Sequence, residues 1–339
     1  MWKNWQRMPA FWQAGPKPNI LWHGLLRILA RLYYWVCMLR KACIRPKSAA
    51  IPVICVGNLT VGGAGKTPVA AAIAEELHRR NWHAHICLRG YLGEMKGPLR
   101  VNPAIHNPED IGDEALLLSR IAPTWIGKNR LLSLREAHLS GAEIAVLDDG
   151  LQHYELRKDF SILVIDGGFG FGNGHILPAG PLREPISALH KRIDAAIIVH
   201  DDLCGIRTHL PSNIPILQAK MHIMIPQALH KQRVLAFCGI GRPQKFFDSL
   251  QTQDFDLIET RAFSDHHRYS DLDMRTLILA AQAQGCHLLT TEKDFVRLSQ
   301  TYRNQVSQVR LQLDFCESNW LDILLTQNPK ILIKSANLA

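Results

Sequence analysis

No acidic residue precedes Glu75 in this 339-residue chain. Nine basic residues (Lys3, Arg7, Lys17, Arg27, Arg31, Arg40, Lys41, Arg45 and Lys47) therefore stand unbalanced in the first 47 positions. The rest of the chain holds 30 basic against 30 acidic residues, so the net charge of +9 is local. That excludes a protein basic all over for nucleic acid and favours an N-terminus that meets an anionic surface. The eight cysteines form no C-x-x-C pair, and H-E-x-x-H is absent. Zinc and a disulfide framework lose their usual sequence basis, and buried free thiols in a reducing compartment are the expectation. A charge-free apolar run of membrane-spanning length is also missing. The stretch from Ile20 to Leu39 is mostly apolar but contains Arg27 and Arg31, each costing about 2.5–3.5 kcal/mol at a bilayer centre. The same arginines break the apolar core that a signal peptide needs.

What is present in that segment is tryptophan. Trp2, Trp5, Trp12, Trp22 and Trp35 are five of the eight in the chain. His23, Arg27, Arg31 and Tyr34 recur at helical spacing on one stripe. Leu21, Leu25, Leu26, Ile28, Leu29, Leu32, Val36 and Leu39 occupy the other faces. The pattern suits an amphipathic helix lying in a membrane interface, arginines toward lipid phosphates. A helix packed on its own protein core and an Arg-rich transit peptide are the alternatives.

The chain is organised around residues 53–67, VICVGNLTVGGAGKT. An apolar β-branched run reads as a buried strand. A glycine-rich loop, Lys66-Thr67 and an alanine-rich helical run follow. Strand, glycine loop, Lys-Thr and helix form the context of a phosphate-binding P-loop. Thr60, Val61, Gly62, Gly63, Ala64 and Gly65 would offer backbone N–H groups to phosphate oxygens. Lys66 would reach a β- or γ-phosphate, and the Thr67 hydroxyl would ligate Mg²⁺. Thr60 stands where the general pattern has its first glycine.

Further along, residues 82–88 read as a strand ending in Arg89-Gly90-Tyr91, at the edge where open α/β sheets bind ligands. Asp113 and Glu114 open a leucine-rich helix, where acidic residues are ordinary N-terminal stabilisers. Gly127-Lys128-Asn129-Arg130 leads into another helix. Residues 144–147 form a short apolar strand running into Asp148, Asp149, Gln152 and His153. A strand that delivers Asp at its end places a carboxylate beside nucleotide-bound Mg²⁺. After a strand at 161–165, residues 167–185 (GGFGFGNGHILPAGPLREP) hold too much glycine and proline for a regular element. A loop of that length at a sheet edge suits a substrate or nucleotide site, with Arg183 and Glu184 as its charges.

From about residue 214 the chain shifts to short extended pieces, a linker or β-ribbon. Residues 233–241 (RVLAFCGIG) begin a second strand–glycine turn–helix unit. Asp265-His266-His267 could be a structural turn with a helix cap, or acid/base groups facing the P-loop. The expected architecture is α/β, a P-loop NTPase-type doubly wound, mostly parallel sheet. To it are added a second, smaller α/β domain and an N-terminal amphipathic membrane helix. Expected segments are 1–47 for the membrane, 48–213 for the P-loop domain, 214–232 for the linker and 233–339 for the smaller domain.

Together the strings VGNLTVGGAGKTP, RGY, GDEA, GKNR, LDDGLQH, FGNG…LPAGPLREP, SDHHRY and TTEKD closely resemble the tetraacyldisaccharide 4′-kinase (lipid A 4′-kinase) family over essentially the whole chain. The resemblance implies transfer of the γ-phosphoryl of ATP to the 4′-hydroxyl of an acylated glucosamine disaccharide 1-phosphate. It implies ATP and Mg²⁺ as requirements and the cytoplasmic face of the Gram-negative inner membrane as the place. Asp113 and His266 look like a catalytic dyad. Glu184 looks like a magnesium ligand beside Thr67, Asp148 and Asp149, and Tyr91 and Arg130 lie near the substrate's sugar-phosphate. Gln152, His153 and Arg183 are further substrate-side candidates. Leu92 interrupts the family's R-G-Y-G, Ala64 replaces a threonine, and Ala115 replaces a proline. The rival from another class is a membrane-associated P-loop ATPase switch of the Min/Par type. Such proteins carry a lysine where this chain has Val61.

Overall fold

The structure is a computed structural model that describes residues 9–12 and 20–325. Residues 1–8, 13–19 and 326–339, and the side chains of residues 10 and 20–23, lie outside the description, and with them Trp2, Trp5, Lys3, Arg7, Lys17 and the side chains of Leu21, Trp22 and His23.

Twelve strands make one sheet among the described residues: β1 (Val53–Gly57), β2 (Ala84–Leu88), β3 (Leu99–Arg100), β4 (Thr124–Ile126), β5 (Ile144–Asp148), β6 (Phe160–Asp166), β7 (Ala195–Val199), β8 (Ile216–Met224), β9 (Arg233–Cys238), β10 (Asp256–Ala262), β11 (His287–Thr291) and β12 (Val306–Phe315). Their order is β10-β9-β11-β12-β8-β7-β6-β1-β5-β2-β4-β3. Only the β3–β4 and β8–β12 pairings are antiparallel. β1, β2, β5, β6 and β7 are buried along their whole length. Near-continuous apolar runs such as Val53–Val56 fit this position, because helices cover both faces of a parallel sheet.

The helices are α1 (Ile20–Ala42), α2 (Lys66–Arg79), α3 (Pro108–Ile111), α4 (Asp113–Leu118), α5 (Arg130–Leu139), α6 (Pro243–Gln251), α7 (Asp271–Gln284), α8 (Glu292–Arg297), α9 (Gln300–Arg303) and α10 (Trp320–Leu325). In the first half, Val69, Ile73 and Leu77 of α2 pack on one sheet face and Leu134 and Ala137 of α5 on the other. The second half has its own two clusters around Phe247 and around Met274.

The halves are joined by a two-stranded ribbon. Residues 216–219 of β8 pair with β7, and residues 219–224 pair with 310–315 of β12. Residues 306–309 of β12 pair with β11. Each ribbon strand thus begins in one half and ends against the other. The chain then returns: Trp320, Leu321, Leu324 and Leu325 of α10 are buried in the core of the first half, and Arg80 and Asp322 form an ion pair.

Candidate active site

β1 and β5 are adjacent and parallel, and Val56 is opposite Asp148. This register sets the end of β5 beside the loop that leaves β1. Gly62 and Gly65 have φ of 113° and 87°, and Gly65 caps α2. Thr60 takes another course. It is buried and makes an antiparallel bridge to Leu182. Val61 N–H donates to Pro181 O at 2.9 Å and Arg183 N–H to Leu59 O at 2.8 Å. An extended, β-bridged backbone has no need of glycine, which accounts for the threonine. Asn58 Nδ2 closes the turn by donating to Thr60 O at 2.8 Å and Gly62 O at 3.3 Å.

Thr67 Oγ1 donates to Asp148 Oδ2 at 2.9 Å, while Asp148 Oδ1 is buried without a partner. Burial first, then the nearby charge of Glu114, pushes the Asp148 carboxyl up to about 7. A buried carboxylate with a free oxygen, beside a hydroxyl, fits a divalent cation. Among the described residues no group of three or more His, Cys, Asp or Glu could hold a metal alone. Mg²⁺ at a phosphate site commonly takes one or two protein oxygens and completes its shell with water and substrate phosphate. Asp149 has φ 53°. It turns toward Arg183, whose Nη1 is 3.0 Å from Asp149 Oδ1, and Lys66 Nζ lies 3.9 Å from the same oxygen. Burial opposes its ionisation, but Lys66 and then Arg183 outweigh this and lower its pKa.

Glu184 sits apart from that pair. Its carboxylate forms an ion pair with Arg192 and accepts from Tyr154 OH at 3.0 Å and Gln152 Nε2 at 3.3 Å. Both oxygens are engaged by these donors, so in this arrangement Glu184 is not grouped with Thr67 and Asp148. Gln152 also donates to Asn58 O at 3.1 Å and accepts from Arg183 at 3.1 Å. It links the phosphate loop, the aspartates and the glycine-rich loop. Trp12 docks on the same loop, with Nε1 donating to Pro178 O at 3.2 Å.

His266, after β10, reaches the first half. Its Nδ1 lies 3.0 Å from Asp113 Oδ2, at the start of α4. His266 has φ 56°, a sparsely populated conformation of the kind that clusters at functional sites. The Tyr91 ring, 64% exposed, lies 6.5 Å from the His266 ring, edge to face. Leu92 is accommodated by a turn at φ 65°, and Gly93 N–H bonds to Gly90 O at 3.2 Å. The inserted residue therefore leaves Tyr91 beside the dyad.

Burial raises the Asp113 carboxyl, but hydrogen bonds from His266 and Arg297 overcome it and hold the group at about 2. Arg297 was not singled out by the sequence, although its i,i+3 spacing from Asp294 in one helix was a signal. Glu114, the next residue, pairs with Lys293 at 2.9 Å. Arg130 is buried, and its Nε has no partner. Beside it, burial and then Arg130 push the His153 imidazole down to about 4.

A phosphate loop, an adjacent buried aspartate and an Asp–His pair at the mouth of a doubly wound sheet define a P-loop phosphotransferase. The chain belongs to the tetraacyldisaccharide-1-P 4′-kinase family, whose profile matches residues 22–328. Tetraacyldisaccharide 4′-kinase of Gluconacetobacter diazotrophicus is 44% identical over 310 residues, covering 91% of this chain and 94% of that one. The protein of the same name from Rhodospirillum centenum is 41% identical over 323 residues, covering 94% and 96%. LpxK of Aquifex aeolicus, crystallised in complex with ATP, matches with a TM-score of 0.75 at 27% identity, over 90% of this chain and 99% of that one.

Proposed function

We propose that the protein transfers the γ-phosphoryl of ATP to the 4′-hydroxyl of a tetraacylated glucosamine disaccharide 1-phosphate, at the cytoplasmic face of a bacterial inner membrane. The observation that carries this reading is the meeting of His266 with Asp113, one residue from Glu114, whose carboxyl feels the charge of Lys66 and whose own charge is felt at Asp148. An acid/base pair thus stands at the mouth of a nucleotide site. A switch ATPase has no need of such a pair for an alcohol acceptor.

Phosphoryl transfer depends on positioning and charge stabilisation. The loop amides and Lys66 hold the phosphates in this reading. Thr67 and Asp148 would hold Mg²⁺, with Asp149 held nearby by Arg183. Bound Mg²⁺ would supply neutralisation of the charge that builds on the phosphate oxygens. An Asp113 carboxyl held near 2 is a poor proton acceptor at neutral pH. His266, with Nδ1 turned to Asp113, would take the hydroxyl proton at Nε2, and the carboxylate would stabilise the imidazolium. Arg130, His153 and Tyr91 suit the sugar and phosphate of the acceptor.

The surface of α1 supports the membrane assignment. Leu26, Ala30, Tyr34, Cys37 and Lys41 form its more buried stripe. Ile28, Leu32, Trp35, Val36 and Leu39 are 56–64% exposed. No described helix is long and apolar enough to cross a membrane. A patch of this kind beside basic residues fits interfacial docking.

The test is incubation of the protein with γ-labelled ATP, Mg²⁺ and the disaccharide 1-phosphate lipid in mixed micelles. Label should enter the lipid. ATP hydrolysis with no label in the lipid would instead support the switch.

A further inference from the structure

The Arg297 side chain is enclosed, with 5% of it exposed. Its Nε donates to Asp113 Oδ2 at 2.9 Å, and Nη2 also bonds to that oxygen. Nη1 donates to Gly239 O at 2.8 Å and to Asp294 Oδ1 at 2.9 Å. One planar guanidinium therefore spans both halves, with Asp113 on one side and Gly239 and Asp294 on the other. Two N–H groups converging on one carboxylate oxygen while a third nitrogen reaches the opposite side is a planar fork that lysine does not reproduce.

The anchoring side is itself fixed. Asp294 is fully buried and accepts from Gly239 N–H at 2.9 Å, Tyr269 OH at 2.9 Å and Thr291 Oγ1 at 2.6 Å. Gly239 O accepts a second bond, from the His266 backbone N–H, at 3.0 Å. A Cβ at Gly239 would stand 2.9 Å from Ser264 O and 3.0 Å from His267 Cβ. The glycine turn after β9 thus receives Arg297 and holds His266 at its positive φ. His266 Nδ1 and Arg297 Nη2 lie 3.3 Å apart and share Asp113 Oδ2.

We infer that Arg297 is a positioning residue for phosphoryl transfer. It fixes the carboxylate of Asp113 to the glycine turn that carries His266, so that the dyad forms only with the halves in register. Facing an ionised carboxylate, His266 Nδ1 carries the proton, and Nε2, 3.9 Å from Asp265 Oδ1 and beyond hydrogen-bond distance of it, is the nitrogen that accepts one. The inference deepens the kinase reading and rests on it for its kinetic arm. Its spectroscopic arm stands alone.

Arg297→Ala should lower kcat by about 100-fold, the cost of misplacing a catalytic group, with KM for ATP within about threefold. Added guanidinium should restore part of the rate. Arg297→Lys keeps the charge without the fork and should fall between, about tenfold down. It also serves if the alanine variant does not fold. Combining Arg297→Ala with Asp113→Ala should cost no more than Asp113→Ala alone. In ¹⁵N spectra of the intact protein, His266 should show the Nδ1–H tautomer, and Arg297→Ala should disperse that signal. Losses that multiply with Asp113→Ala, a wild-type kcat in Arg297→Lys, or an unchanged His266 signal in Arg297→Ala would each overturn the proposal. If the wild-type protein transfers no label to the lipid, the kinase reading fails and the His266 signal still decides the role of Arg297.

Discussion

Asp113 concentrates the energetics of the site in one side chain. Burial works against its charge, and Arg297 and His266 more than compensate. Its pKa is therefore depressed on folding, from an ordinary 3.8 to about 2. Such a group stabilises the fold above its unfolded pKa, and the contribution is lost as pH falls through the folded value. The difference corresponds to about 2 kcal/mol. Acid titration of stability, followed by urea unfolding between pH 5 and pH 2 (about the window these values set), should show this slope in the wild type. Asp113→Asn should flatten it. Equal slopes in the two proteins would show that the carboxylate is not held by these partners. The residues of this site were legible as types near the ends of strands: Lys66 and Thr67 open the helix after β1 and its loop, Asp148 ends β5, and His266 lies in the turn after β10. Their partners were not. Glu184 reads as one more carboxylate in a glycine loop until Tyr154 from earlier in the chain and Arg192 from later arrive on it. Arg297 gains its meaning from Asp113, 184 residues away, and no local pattern encodes that distance.

At the scale of elements, continuous apolar runs such as Val53–Val56 and Ile144–Leu147 were readable because a strand buried on both faces needs nothing polar. The turns between elements carry the finer constraint. Gly112 has φ 86° and ψ 150°, a region that only glycine enters without strain. Its added Cβ would stand 2.4 Å from Tyr91 O. The turn holding Tyr91 and the helix opening with Asp113 are therefore locked together through this one position. Gly112→Ala should cost about 1–3 kcal/mol of stability and lower kcat on the order of tenfold or more by displacing Asp113. Thermal unfolding and steady-state kinetics check both, and a variant with wild-type kcat would show that the turn does not position the dyad. The string Gly112-Asp113 was visible in the sequence. That its glycine answers to Tyr91 required the packed turn.

For the whole molecule, the sequence divided the chain into two α/β parts, and the structure adds how they are held. The β8–β12 ribbon crosses between them, α10 returns to the first half, and Asp166 of β6 meets Lys245 of α6 at 3.2 Å. A sheet continuous over twelve strands is not deducible from local periodicity, since the β8–β12 pairing that joins its halves matches Met224 with Arg310 and Ala219 with Phe315, far apart in the chain. Charge is segregated on the same scale. All nine unbalanced basic residues lie in the first 47 positions, and α1 within that segment presents Leu32 and Trp35 at 61% and 64% exposure. Two forces should then bind the protein to a bilayer. Electrostatic attraction contributes about 1 kcal/mol per basic residue near an anionic surface and is screened within a Debye length. Apolar burial is insensitive to salt. Flotation with phosphatidylglycerol-rich vesicles should therefore fall at least about tenfold in affinity as salt rises from about 0.05 M to 0.5 M. Leu32→Glu combined with Trp35→Glu should weaken binding at both salt concentrations with little change in Tm, because both side chains already face water. If the double variant floats like the wild type, the exposed face of α1 is not what meets the membrane, and the orientation of the active-site mouth toward a lipid acceptor must come from elsewhere in the molecule.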